Sequence, residues 1–174
     1  MSLAPTPLNL AALGCIVSGS CATGIGASVS FLVMPALIRP DVPQDALIHQ
    51  WHGIYKRGAA LMPVLGASTA LGYWLVAYRS MASASEWRGF AAAGVLTLAI
   101  VPFTLAVMMP TIRALEAEMA AGAGIVSTNA KDSSKTRMSR GTVEALLGKW
   151  TRLNVVRSLI PLVGTACAVW NLLG

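Results

Sequence analysis

Gly89 to Ile112 reads GFAAAGVLTLAIVPFTLAVMMPTI and contains no Asp, Glu, Lys or Arg. About 20 mostly apolar residues, at roughly 1.5 Å of rise each, cross the hydrocarbon core of a bilayer. A surface helix of a soluble protein would instead carry a polar face, which this stretch lacks. It is read as a transmembrane helix from about Trp87 to Leu115. Three other stretches share its character: Met1 to Ile38, Gly58 to Tyr78, and Ser158 to Gly174 when extended back to about Leu153. The composition agrees, with 55% hydrophobic and 11% charged residues. Such usage suits lipid rather than water as solvent. The expected fold is all-α, an integral membrane four-helix bundle forming a single four-span transmembrane domain over residues 1–174.

The net charge of +6 does not indicate nucleic acid, because the cations flank the apolar runs instead of interleaving with aromatics. With four crossings, the loops after the first and third helices share one side. They hold Arg39, Lys56, Arg57, Arg113, Lys131, Lys135, Arg137, Arg140, Lys149 and Arg152, against Arg79 and Arg88 on the other. The positive-inside rule then puts both termini on the non-cytosolic side. Residues at about 120–141, rich in Gly, Ser, Thr and Lys without apolar period, are expected to form a flexible cytosolic loop. Cys15, Cys21 and Cys167 lie inside the spans, odd in number and without metal spacing, and read as small buried residues. The N-terminus has no basic region ahead of its apolar run, so the first helix is expected to be retained; cleavage near Ala22 is the alternative.

Each helix carries a local signature. The first, about Leu8 to Leu37, repeats small residues at Gly14, Ser18, Ala22, Gly26 and Ser30, a ladder that lets a neighbouring backbone approach. A groove lined by Ser18 and Ser30 is the other reading. The second is expected to begin near Asp45 and places Trp51, Tyr55, Gly58, Met62, Thr69 and Tyr73 on one broad stripe, either facing inward or forming an interfacial aromatic belt. Pro63 within it frees the Ala59 carbonyl. In the third, Pro102 marks a widening of the bundle, and Thr104 beside it either meets a ligand or bonds back to its own helix. Thr142 is the expected cap of the fourth, with Glu144 in its first turn.

Trp150, Asn154, Arg157 and Pro161, at offsets of four, seven and eleven, form a narrow stripe on that fourth helix. Arg157 lies five residues beyond Arg152, about 7.5 Å along the axis, and could extend back to the interface. Asn154 beside it argues for the bundle interior, where intramembrane polar residues usually face. His49 and His52 are the only histidines. Without a third ligand at helical spacing they make a poor metal site. A metal-dependent oxidase using that pair remains an alternative.

These residues resemble a known family. Trp51, Tyr55 and Gly58, then Pro102, Phe103, Thr104, Met109 and Pro110, then Leu147, Trp150, Asn154, Arg157, Pro161 and Gly164 are similar in order and spacing to the blocks of the DUF1772 membrane proteins, which include the fungal anthrone oxygenases. Thr111 departs from the family's pattern. The resemblance implies an oxidoreductase, a monooxygenase of fungal secondary metabolism that converts a polyketide-derived anthrone to an anthraquinone with molecular oxygen. It implies an endomembrane location and a small aromatic polyketide substrate, with association with other pathway enzymes as a further expectation.

No dinucleotide, haem or iron signature is found, so no cofactor beyond molecular oxygen as co-substrate and no metal is expected. The reducing power would come from the anthrone itself. On that basis the expected catalytic residues are Asn154 and Arg157, stabilising a developing oxyanion, with Tyr55 or His52 as proton acceptor or relay. Trp51, Trp150, Phe103 and Thr104 are the expected substrate-binding walls. The competing reading is a non-enzymatic tetraspan scaffold or carrier of lipophilic metabolites.

Overall fold

The computed structural model describes residues 6–83, 86–125 and 137–173, and among these there are helices and connections but no strands. Four helices are long and apolar enough to cross a membrane: α1 (Pro7–Leu37), α2 (Gln44–Ala82), α3 (from Arg88, continuing to Ile125 with one break) and α4 (Arg140–Leu173). This is the four-helix membrane architecture expected from the charge-free runs. Thr6 caps α1 by accepting a hydrogen bond from the Asn9 N–H at 3.2 Å, with Pro7 in the first turn where its missing N–H costs nothing. Each helix packs chiefly against two others, α1 and α3 both lying against α2 and α4.

The irregular winding lies in α1 and α3. In α1 the residues Val29–Val33 form a π-helical turn. Helix α3 breaks after Leu98, resumes at Ile100–Phe103, and passes through a second π-helical turn at Thr104–Met108. Pro102 within this region has no N–H to return to the Leu98 carbonyl, a sufficient cause for the loosened winding. Pro63 sits inside α2, which remains continuous.

The described residues form two apolar cores, and Met108 of the second π-helical turn belongs to the first. One joins Met34, Leu47, Ile48, Trp51, Met108, Ile112, Leu115, Val143, Leu147 and Trp150. The other joins Ala12, Tyr73, Val76, Ala77, Phe90, Ala93 and Ala168. Trp51 and Tyr73 are fully buried, so the stripe on α2 faces inward and is not an aromatic belt.

At the charge-rich end a polar knot ties three helices together. The Glu118 carboxylate, with its side chain 1% exposed, accepts from Gln44 Nε2 at 3.0 Å, Arg137 Nε at 3.3 Å and the Met138 N–H at 2.9 Å. Arg137 also pairs with Asp45. Asp45 first, and Glu118 with it, raises the Arg137 guanidinium above its ordinary value and keeps it charged. Arg140 donates to the carbonyls of Val42 and Arg39 at 2.7 and 2.6 Å.

Some boundaries differ from expectation. Helix α3 continues through Ala120 to Ile125, so that part of the expected flexible loop is helical, and 126–136 lie outside the described residues. The start of α4 is served by Ser139, whose Oγ accepts from the Thr142 N–H at 3.3 Å, and not by Thr142. Glu144 pairs with Arg140 at 2.7 Å. Cys21 is exposed on the outer face of α1 and is not the small buried residue expected; all three cysteines are free.

Candidate functional site

Between the two apolar cores the four helices enclose a cavity of about 460 Å³, within the roughly 300–1,000 Å³ range of small-molecule sites. Its wall is mostly apolar, with Thr69, Thr97, Thr104, Ser158 and Asn154 among the uncharged polar residues that line it. The titratable side chains on it are Tyr55 of α2 and Arg157 of α4. Arg157 is half-buried and has no hydrogen-bond or ion-pair partner among the described residues. A guanidinium in an apolar cavity without a carboxylate is costly unless something negative arrives to meet it.

Tyr55 is held by a ring assembly. Its phenol stacks on the Trp51 indole, centroids 5.5 Å apart and planes 4° from parallel. Trp51 in turn meets Trp150 edge to face at 5.9 Å. Offset-stacked and edge-to-face arrangements are the preferred ones for aromatic quadrupoles. Trp51 belongs to the core beneath the cavity, so its contribution is to fix Tyr55 and Trp150, which do reach the wall.

Asn154 follows Trp150 by one turn and is 1% exposed. Its Nδ2 donates to the Gly26 carbonyl at 2.9 Å and to Ser30 Oγ at 2.8 Å. Ser30 Oγ donates to the same carbonyl at 3.2 Å. Gly26 makes this possible, since a Cβ there would collide with Ser158, whose own Oγ donates to the Asn154 carbonyl at 2.8 Å. The amide protons of Asn154 therefore bind α1 to α4. Its Oδ1 is buried with no partner among the described residues.

The expected site residues divide accordingly. Tyr55, Trp150, Asn154, Arg157 and Thr104 are brought together on the cavity wall. Thr104 Oγ1 donates back to the Ile100 carbonyl at 2.8 Å. Three residues are placed elsewhere. Trp51 lies behind Tyr55, and Phe103 packs against the core containing Trp51. His52 points along the α2–α3 seam, with Nδ1 3.1 Å from Met119 Sδ.

His49 is exposed, and among the described residues no three His, Cys, Asp or Glu side chains gather as a metal site would require. Much of the wall was not singled out by sequence: Gly19, Gly66, Ala67, Val101, Leu105 and Ser158 all line it. The one available signal was Asn154 itself. An amide at membrane depth needs partners, and Ser30 in the small-residue ladder offered one.

The anthrone oxygenase family profile matches residues 51–167, which takes in the aromatic assembly, the cavity and most of α4. A relative from Aspergillus novofumigatus, an anthrone oxygenase, is 38% identical over 150 residues, covering 86% of this chain and 85% of that protein. An anthrone oxygenase of Paecilomyces divaricatus is 31% identical over 90% of this chain and 94% of its own length. A noranthrone monooxygenase of Aspergillus flavus is 30% identical over 91% of this chain and 71% of that protein. No solved structure matches significantly.

Proposed function

The chain belongs to the anthrone oxygenase family, and on that premise we propose that it is a monooxygenase converting a polyketide-derived anthrone to the anthraquinone with molecular oxygen. The observation that carries the reading beyond family membership is the Arg157 guanidinium, unpaired among the described residues on the wall of a mostly apolar cavity. In the reaction the methylene carbon of the substrate loses two hydrogens and gains one oxygen atom of O2. The second oxygen atom leaves with those hydrogens as water.

Loss of one methylene proton gives an anthrolate, whose negative charge rests on the ring oxygen. A fixed guanidinium beside that oxygen, in a site without bulk water, stabilises the anion far better than it would in water. The electron-rich anthrolate then reduces O2, so the electrons come from the substrate and no cofactor is called for.

Arg157 is assigned to the oxyanion. Tyr55 is assigned to the proton, being the other titratable group on the wall. Trp150, Thr104 and the surrounding aliphatic side chains form the slot for a flat polycycle. Asn154 is assigned to holding α4 against α1, because its amide protons are already bound to Gly26 and Ser30. Its earlier reading as a second oxyanion donor would require those bonds to open. His52 and Trp51 are assigned supporting places behind Tyr55.

The same reading treats the chain as one four-span unit in an endomembrane. The charge-rich end, with Lys56, Arg57, Arg113, Arg140, Lys149 and Arg152, would face the cytosol and both termini would lie opposite. The test is oxidation of an anthrone by purified protein in lipid vesicles, in air and without added cofactor. A rate above spontaneous autoxidation that collapses in Arg157→Gln supports the assignment. An Arg157→Gln protein that is folded and as fast as wild type refutes it.

A further inference from the structure

Along the bundle axis, buried cores of the described residues close the cavity at both ends. Toward the charge-rich end it is floored by the core of Trp51, Met108, Ile112 and Trp150, and toward the other end it is roofed by the core of Tyr73, Phe90 and Ala93. Any ligand must enter sideways.

The side that opens can be identified from exposure. Of the residues lining the cavity, six are exposed: Ile25 on α1, Ala59, Pro63 and Ala67 on α2, and Val101 and Leu105 on α3. Five of them flank one seam. On α2, Trp74 faces α3, its Nε1 donating to the Ala91 carbonyl at 3.4 Å, whereas Gly72 faces Cys15 of α1. Pro63 and Ala67 precede Trp74 by eleven and seven residues, within about 20° of it on the helical wheel, so they lie on the α3 side. On α3, Gly94 lies against the Trp74 ring. Val101 and Leu105 follow Gly94 by seven and eleven residues, on the same stripe, facing α2, yet they are 47% and 60% exposed.

The α2–α3 seam is thus pinned at both ends and parted in the middle. Trp74 on Ala91 and Gly94 closes one end. Lys56 with Glu116 at 3.8 Å, and His52 with Met119, close the other. Lys56 and Trp74 are separated by about 27 Å of helix. Between them α2 offers only small or ring-shaped side chains toward α3, at Ala59, Pro63, Gly66 and Ala67, while α3 is broken at Ala99 and loosened at Thr104–Met108. All of these residues lie within the charge-free runs, at the depth of lipid tails.

We infer that the gap between α2 and α3, bordered by Ala59, Pro63, Ala67, Val101 and Leu105, is a lateral portal through which a flat, uncharged, membrane-dissolved substrate reaches Arg157 and its product leaves into the bilayer. The inference rests on the proposed anthrone reading only for the identity of what passes. The small residues on α2 make the portal a size and polarity filter. A planar polycycle slides in edge first, whereas the same polycycle carrying a sugar or a charged group would have to be desolvated in hydrocarbon. Leu105 narrows the opening from the α3 side.

The experiment uses full-length protein with Cys15, Cys21 and Cys167 replaced by alanine, in phosphatidylcholine vesicles, with Ala67→Cys and Leu105→Cys introduced together. The pair is bridged by a cleavable bis-maleimide, and binding of a fluorescent anthraquinone is followed by stopped flow. Bridging should slow association and dissociation together by at least about tenfold with Kd unchanged, and cleavage of the linker should restore both rates. Ala67→Phe, which needs no bridge, should also slow association, whereas Leu71→Phe on the lipid-facing side of the same helix should not. Unchanged association rates in the bridged protein and in Ala67→Phe overturn the portal. A bridged protein that slows ligand exchange but belongs to a wild type without anthrone turnover leaves the portal standing and removes the proposed reaction instead.

Discussion

The contact between Asn154 and Ser30 allows a sharp test of how α1 is held to α4. In Asn154→Ala both Nδ2 bonds are lost, to Gly26 O at 2.9 Å and Ser30 Oγ at 2.8 Å. Interhelical hydrogen bonds in membrane bundles average about 0.6 kcal/mol and reach about 1.7, so the two together are worth about 1–3 kcal/mol. Two features reduce the net cost. Gly26 O keeps the Ser30 hydroxyl as donor, and removing Asn154 also removes its unpartnered Oδ1.

The expected loss is therefore about 1–2 kcal/mol, measured as unfolding in mixed micelles by a denaturing detergent with helicity followed by circular dichroism. A double-mutant cycle with Ser30→Ala isolates the shared bond and should give a coupling of about 0.5–1.5 kcal/mol. Additivity of the two substitutions within about 0.3 kcal/mol would show that the amide does not bond to Ser30, and an Asn154→Ala protein as stable as wild type would remove the assignment of Asn154 to helix packing.

Other expectations follow from the same geometry. Arg157→Gln should lower kcat by about 10²–10³-fold, the usual cost of losing an oxyanion donor, with Arg157→Lys retaining part of the rate because charge survives without the planar fork. Gly164→Val should cost about 1–3 kcal/mol by overpacking. A Cβ there lies 3.1 Å from the Ala93 carbonyl and 3.2 Å from Leu96 Cβ. Gly14→Ala, with nothing within 4 Å, should be neutral or stabilising by up to about 1 kcal/mol, and both are read by the same unfolding assay. Glu118→Gln should weaken the knot at the charge-rich end by about 2 kcal/mol, since it loses charge-assisted bonds to Arg137 and Met138, while anthrone turnover per folded molecule stays within about twofold. Incubation with a strong chelator followed by gel filtration should leave turnover unchanged.

The spans were legible because lipid removes the choice: a long charge-free run must satisfy its backbone internally, and a helix does so. The stripe of α2 was legible from spacing, but spacing left open whether it faced inward or formed an aromatic belt; the burial of Trp51, Thr69 and Tyr73 decides for inward. The depth at which each residue acts was not. Trp51 and Tyr55 share a stripe, yet Tyr55 reaches the cavity and Trp51 supports it from the floor, a difference set by where the aromatic core closes. Asn154 and Arg157 likewise share a stripe, but a π-helical turn and a small-residue face on α1 bring Gly26 and Ser30 close enough to engage the amide. Periodicity names a face; it does not reveal which neighbour has already satisfied a donor. The parting of α2 and α3 was signalled in part by Pro63 and Pro102. The route it creates depends on the packing of both helices against Trp74 and Glu116.

The central claim is that the chain itself oxidises an anthrone, with Arg157 stabilising the anthrolate and the substrate supplying the electrons. Its most direct measurement is turnover of an anthrone under ¹⁸O₂ by purified protein in vesicles with no added cofactor, with Arg157→Gln alongside. The account predicts rapid conversion, one ¹⁸O atom in each anthraquinone, one O₂ consumed per product, and a 10²–10³-fold slower Arg157→Gln enzyme, about the cost of one oxyanion donor. Quinone formation no faster than in protein-free vesicles would contradict it.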